Sequence, residues 1–257
     1  MGIRKKYVHV CPTPALIDHF DVSKAIVVVI DILRATTSMC VAFGNGAYCM
    51  VPVASIDACR SYRDKGFLIA GEREGIKLDG FDLGNSPYSY MTSEIRGAKI
   101  AITTTNGTKA IKAAEDRNAK AIVVGAFANI STLTRWLIEQ NEHVCLLCAG
   151  WHDNSTLEDS IFAGAMVNRL KRNFVRYQDT ALIAETLYHS ANRRKRYYLR
   201  SSSHFNRLIH LNLQQDVKYA MRRDTQKVIP ILRDNVLVDI CRGYNVSSVQ
   251  TRTDRIA

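Results

Sequence analysis

AIVVVI at residues 25–30 is followed at once by Asp31-Ile32-Leu33-Arg34-Ala35-Thr36-Thr37, and this strand with its polar loop sets the architecture. Six apolar residues in a row, five of them β-branched, make a strand buried on both faces. Such strands belong to parallel sheets covered by helices. The polar loop then opens a helix that ends near Gly44-Asn45-Gly46. The same unit recurs along the chain. Further strands are expected at 48–53, 67–70, 99–103, 121–125 and 144–148. Helices are expected at 56–65, 108–117 and 131–140, with the longest at 155–172. Strands alternating with helices predict a three-layer α/β/α architecture around a largely parallel or mixed sheet.

From about Asn173 the pattern changes. A helix is expected at 177–189, and a basic cluster, NRRKRYYLR, spans 192–200. One or two amphipathic helices cover 204–223. Apolar runs at 228–232 and 236–240 flank Arg233-Asp234-Asn235 as a hairpin. Residues 1–172 thus read as an α/β core carrying the main active-site loops. Residues 173–257 read as a basic portion packed on the same fold, not independent of it.

Charge follows that division. The 257 residues hold 35 Lys and Arg against 24 Asp and Glu, a net charge of +11. Residues 1–165 balance 17 basic against 17 acidic side chains, so the whole excess lies in residues 166–257. A content of 47% hydrophobic and 23% charged residues excludes a disordered chain. No apolar run is long enough to span a membrane, and Asp18, His19 and Asp21 cut short any signal-peptide segment. Seven cysteines form no framework and sit mostly in apolar runs, which predicts free thiols and a cytoplasmic setting. Cys145-Leu146-Leu147-Cys148 lies within a strand, where residues three apart face opposite ways. That spacing makes neither a zinc knuckle nor a thioredoxin-like site.

Loops at the carboxyl ends of parallel strands converge on one crevice, so their polar residues are the candidates for a site. Thr103-Thr104-Thr105-Asn106-Gly107-Thr108 leaves a strand and opens a helix, a place where backbone N–H groups hold phosphate. It lacks the Walker A ending, and Thr105 or Asn106 as a plain helix cap is the competing reading. In Asp31-x-x-Arg34, the carboxylate suits a cation and the guanidinium an anionic oxygen; a local ion pair is the alternative. Glu72 follows a short strand, as a metal ligand does. Asp82 reads as a turn former. The last loop, Cys148-Ala149-Gly150-Trp151-His152-Asp153-Asn154-Ser155-Thr156-Leu157-Glu158-Asp159, offers two adjacent carboxylates. Ser155-x-x-Glu158 also fits a capping box. Cys148 reads as a buried thiol and His152 as an exposed loop residue. Acids, an arginine and an anion-binding loop point to metal-assisted chemistry on a phosphate ester.

Four blocks, VVVIDILRATTS (residues 27–38), AGEREGIKLDGFDLGNSP (70–87), TTTNGT (103–108) and LCAGWHDNSTLEDSIFAGA (147–165), resemble in order and spacing the 2-phosphosulfolactate phosphatase (ComB) family. The run SSHFNRL…DVKYAMRRDTQKVIPIL (202–232) resembles its C-terminal part more loosely. The resemblance implies a Mg²⁺-dependent phosphatase acting on a small anionic phosphorylated substrate. The family's reaction converts (R)-2-phospho-3-sulfolactate to 3-sulfolactate in coenzyme M biosynthesis. It also implies a homo-oligomer, with a dimer favoured. Asp31, Arg34, Glu72, Asn85, Thr105, Asn106, Gly107, Glu158 and Asp159 occupy motif positions.

The chemistry of those residues then assigns expected roles. Asp31, Arg34, Glu158 and Asp159 are catalytic. Asn85, Thr104, Thr105, Asn106, Gly107 and Thr108 bind phosphate. Asp31, Glu72, Glu158 and Asp159 form the Mg²⁺ ligand pool, and Arg73, Lys77 and the basic C-terminal portion are candidates to meet further substrate charge. The nucleophile, water or a carboxylate such as Asp31, is left open. Glu74 and His152-Asp153-Asn154 depart from the family pattern. Two other functions compete: a nucleic-acid binder using the basic cluster, for which no recognised motif is present, and an inactive homologue that binds an anionic metabolite.

Overall fold

The computed structural model describes residues 6–191 and 198–242. Eleven strands form one open, mixed sheet in the order β5-β4-β6-β3-β11-β10-β7-β2-β8-β1-β9. They run β1 Lys6–Cys11, β2 Ala25–Ile30, β3 Cys49–Pro52, β4 Leu68–Arg73, β5 Ile76–Lys77, β6 Lys99–Thr103, β7 Ala121–Gly125, β8 His143–Cys148, β9 Phe174–Arg176, β10 Pro230–Arg233 and β11 Val236–Asp239. The helices are α1 Ala35–Gly44, α2 Ile56–Arg60, α3 Gly107–Asp116, α4 Ile130–Gln140, α5 Leu157–Leu170, α6 Asp179–Ala191, α7 Ser203–His210 and α8 Gln214–Ala220. This is the three-layer α/β/α class expected.

All six residues of β2 are buried, and β2 pairs in parallel with both β7 and β8. Continuous apolarity thus marks the strand that lies between two neighbours. Three strands are not expected from the sequence: β1, β9 and the two-residue β5, which lies inside the glycine-rich segment read as loop. β1 reads KYVHVC, whose Lys6 and His9 break the apolar run, and β9 has only three residues. The strand expected at 67–70 continues to Arg73, so Glu72 lies within β4 and not in the loop after it. The helix expected at 56–65 ends at Arg60, beyond which a short 3₁₀ turn covers Arg63–Lys65.

The C-terminal hairpin enters the middle of the sheet. β10 pairs antiparallel with β7, and β11 with β3, so the hairpin joins the parallel set β4-β6-β3 to the set β7-β2-β8-β1-β9. Its turn places Asp234 and Asn235 both at positive φ, the geometry that matches the strand twist in two-residue hairpins. Among the described residues, no helix is long and apolar enough to cross a membrane.

Candidate active site

A narrow cleft lies where the loops after β2, β4 and β6 meet α7. Asp31, Arg34, Glu72, Gly75, Asn85, Thr105, Asn106, His204, Arg207 and Leu208 line it. The Asp31 loop is locked by its own backbone contacts. Thr36 Oγ1 accepts from Asp31 N at 3.0 Å and donates to Asp31 O at 2.8 Å, and Asp31 Oδ1 accepts from Ala35 N at 3.2 Å. The start of α3 packs directly on it. A Cβ built on Gly107 would lie 2.7 Å from Ala35 Cβ and 3.1 Å from Asp31 Oδ2, so only glycine fits there.

The residues expected to bind phosphate divide by what their polar groups already do. Thr104 Oγ1 accepts from Thr108 N at 3.1 Å, and Thr108 Oγ1 donates to Thr104 O at 2.9 Å. These two hydroxyls hold the turn. Thr104 therefore does the capping, and neither Thr105 nor Asn106 caps α3 through its side chain. The N–H of Thr105 donates to Glu72 Oε1 at 2.8 Å. The N–H groups of Asn106 and Gly107 have no partner among the described residues, and Thr105 Oγ1 is buried without one.

The four expected cation ligands also divide. Glu72 accepts from Gly75 N and Thr105 N, both at 2.8 Å. Asp159 accepts from Ile32 N at 2.9 Å and Gly150 N at 3.3 Å. Both carboxylates are thus bound through each oxygen to the backbone of neighbouring loops. Glu158 does not complete a capping box with Ser155, since Thr156 is the N-cap of α5 and makes no side-chain capping bond. Its Oε1 instead meets His204 Nδ1 at 2.5 Å, and its Oε2 is buried with no partner. Asn85 Oδ1 is likewise buried and unpartnered. Burial pushes the Asp31 carboxyl up to about 6; His204 opposes the rise, and Glu72 and Glu158 add to it. Burial, then Glu158 and Asp31, hold Asp159 well above the usual carboxylate range.

Arg34 makes no local pair with Asp31. Its Nη1 donates to Asp216 Oδ2, and its Nη2 to Gly75 O at 2.7 Å. Asp216 Oδ1 accepts from Ser86 Oγ at 2.8 Å. Arg207 donates to Glu74 Oε2 at 2.8 Å and lies over the Trp151 ring, which stacks on His204. Hence α7 and α8 supply His204, Arg207 and Asp216; the sequence leads one to expect cations from the basic C-terminal portion as a whole, but it singles out none of the three. The signal that pointed to them was the looser family likeness of residues 202–232. Lys77 sits on exposed β5 outside the cleft lining, and His152 is exposed. Asp82 takes up Ile69 N at 2.8 Å and Arg63 at 3.1 Å. Burial raises the Cys148 thiol far above its ordinary value, which keeps it un-ionised. The basic run at 193–196 lies outside the described residues.

Carboxylates, a fixed arginine and open N–H groups at a helix start are the groups that phosphoryl transfer needs. The class they define is a phosphoric monoester hydrolase. The profile of the family described as 2-phosphosulpholactate phosphatase matches residues 11–235, so the chain belongs to that family. It is 40% identical over 211 residues to a Thermotoga petrophila protein named "Probable 2-phosphosulfolactate phosphatase", covering 82% of this chain and 90% of that one. Proteins of the same name from Thermotoga maritima and Caldicellulosiruptor saccharolyticus are 38% and 37% identical. They cover 82% and 77% of this chain, and 90% and 84% of their own lengths.

Proposed function

We propose that the chain is a Mg²⁺-dependent phosphatase of phosphorylated hydroxy acids, with (R)-2-phospho-3-sulfolactate, of the coenzyme M biosynthesis type, as its substrate. The observation that carries this reading is the juxtaposition of Asp31 with the start of α3 across Gly107. It sets a carboxylate for a cation beside N–H groups for phosphoryl oxygens.

The residues fit such a cation. Among the described residues, no three Asp, Glu, His or Cys side chains gather as a ready-made ligand set. Mg²⁺ needs no such set, since it is commonly held by one or two carboxylates and finishes its shell with water and substrate oxygens. Asp31 and Glu158, with the unpartnered Asn85 Oδ1, are the oxygen donors that would hold it. Bound there, it would offset charge on the phosphoryl oxygens.

The chain's own groups do the rest. Asn106 N–H and Gly107 N–H take phosphoryl oxygens, aided by the positive end of α3. Arg34, held by Asp216 and Gly75 O, presents a fixed guanidinium to the same cleft. Glu72 and Asp159 hold the loops around Thr105 and Ile32 in place. His204 fixes the Glu158 carboxylate through Nδ1.

The test is phosphate release from a panel of phosphorylated hydroxy acids, with Mg²⁺ and with a chelator, for the native chain and Asp31→Asn. Turnover that survives both the chelator and the substitution would overturn the reading.

A further inference from the structure

Behind the Thr104–Thr108 turn lies a second cavity, of about 600 Å³, with Arg73, Thr104, Thr105, Lys109 and Lys112 among its lining residues. Thr105 also lines the active-site cleft, so one residue forms a wall of both spaces. The cations of this cavity are not equivalent. Lys109 pairs with Asp153 at 2.6 Å, Lys112 with Asp116 at 2.8 Å, and Arg117 with Asp18 at 2.6 Å. Arg73 has no acidic partner among the described residues. Its guanidinium donates to Glu72 O at 2.6 Å and to Thr103 Oγ1 at 3.1 Å. Those neutral acceptors fix its direction and leave its charge uncompensated. Beside it, the Thr105 hydroxyl is buried without a partner.

A half-buried arginine of fixed orientation, next to an unused hydroxyl, matches an oxyanion. We propose that Arg73 and Thr105 form a specificity subsite for the non-phosphoryl anionic group of the substrate, a carboxylate or a sulfonate. This rests on the phosphatase reading. With the phosphoryl group at Asn106 and Gly107, the second anion of the substrate would lie on the far side of Thr105, the residue that lines both spaces. The shared wall therefore sets the spacing between the two anions that the enzyme accepts. The paired lysines form the rim and contribute little net charge.

The experiment compares the native chain, Arg73→Met and Arg73→Lys on three phosphate esters: 2-phospho-3-sulfolactate, 2-phospholactate and an aryl phosphate without a carboxylate. Arg73→Met should raise KM roughly 30- to 100-fold on an ester that uses the subsite, the usual scale for losing charge-assisted bonds. Its loss on the aryl phosphate should be at least tenfold smaller in kcat/KM. Arg73→Lys should recover part of the loss. A defect confined to the sulfonated ester assigns the sulfonate, and one shared with 2-phospholactate assigns the carboxylate. Equal loss on all three esters, or no loss on any, overturns the subsite.

Calorimetric binding of 3-sulfolactate and of lactate separates the two readings. If the native chain hydrolyses none of the esters, the phosphatase reading falls. The subsite then stands only if either acid binds the native chain and binding weakens at least tenfold in Arg73→Met. Thermal melting of both variants within a few degrees of the native chain confirms that the change is local.

Discussion

Arg34 and Asp216 form a buried ion pair across 182 residues of sequence. Both side chains are almost fully inaccessible, at 3% and 5% exposure, so neither charge has water to fall back on. Removing one partner of such a pair costs about 3–5 kcal/mol, because the other stays buried and unpaired. Asp216→Ala should destabilise the fold by that order in urea denaturation. It should also lower kcat/KM, because Arg34 loses one of its two anchors. A variant with native stability and native kinetics would show that the pair has no role.

Asp31 carries a cost that its proposed work explains. Its folded-state carboxyl is raised to about 6 from an ordinary 3.8. A raised acid resists ionisation in the fold, so stability is full below the ordinary value. It falls as pH rises through the interval from about 4 to about 6, and stays lower above it. Asp31→Asn removes that loss. The metal-free variant should be more stable than the native chain at pH 8, by up to about 3 kcal/mol. At pH 4 it should show no gain. The same titration predicts that Mg²⁺ binding to the native chain weakens below about pH 6, since the carboxylate must be deprotonated to bind it. Equal melting temperatures for the two proteins at both pH values would refute this account.

His204 contacts Glu158 through Nδ1, so in the proposed site it would act on the cation through that carboxylate. His204→Gln should raise the Mg²⁺ concentration needed for half-maximal activity by about 10- to 100-fold, the usual effect of losing a residue that orients a ligand. At saturating Mg²⁺ the KM for substrate should stay near native. A changed KM with an unchanged Mg²⁺ requirement would place His204 in substrate binding instead.

Gly107 is needed for space and not for an unusual turn. Gly107→Ala drives a methyl against Ala35 and towards Asp31. Overpacking of this kind costs about 1–3 kcal/mol. The same shift separates Asp31 from the N–H groups at the start of α3. Activity should therefore fall by at least about 100-fold, more than a stability loss of that size explains while the protein stays folded. The check is kcat/KM measured well below the melting temperature.

Most of the sheet was legible because its inner strands are unbroken apolar runs. AIVVVI, KIAIT and AIVVG fall on β2, β6 and β7 with the expected bounds. The cleft was legible in half. Asp31, Asn85 and Asn106 stand in loops at strand ends, where parallel sheets bring ligands. His204, Arg207 and Asp216 stand on short amphipathic helices, where helical periodicity does not show which polar residue faces the cleft. The division among the acids was not legible at all. Whether Glu72 and Asp159 face a ligand or hold a loop depends on N–H groups such as those of Thr105 and Ile32, brought close only by the fold. The electroneutral part of the chain holds most of the proposed chemistry, yet its arginine takes its counter-charge from the basic part.

The position of the β10–β11 hairpin has a consequence for synthesis. The ribosome releases β1 to β9 before the hairpin that fills the gap between β3 and β7 in the finished sheet. Unpaired strand edges recruit other chains. The edges of β7 and β3 therefore lack their native partners until β10 and then β11 have emerged, and truncation before Pro230 removes both partners.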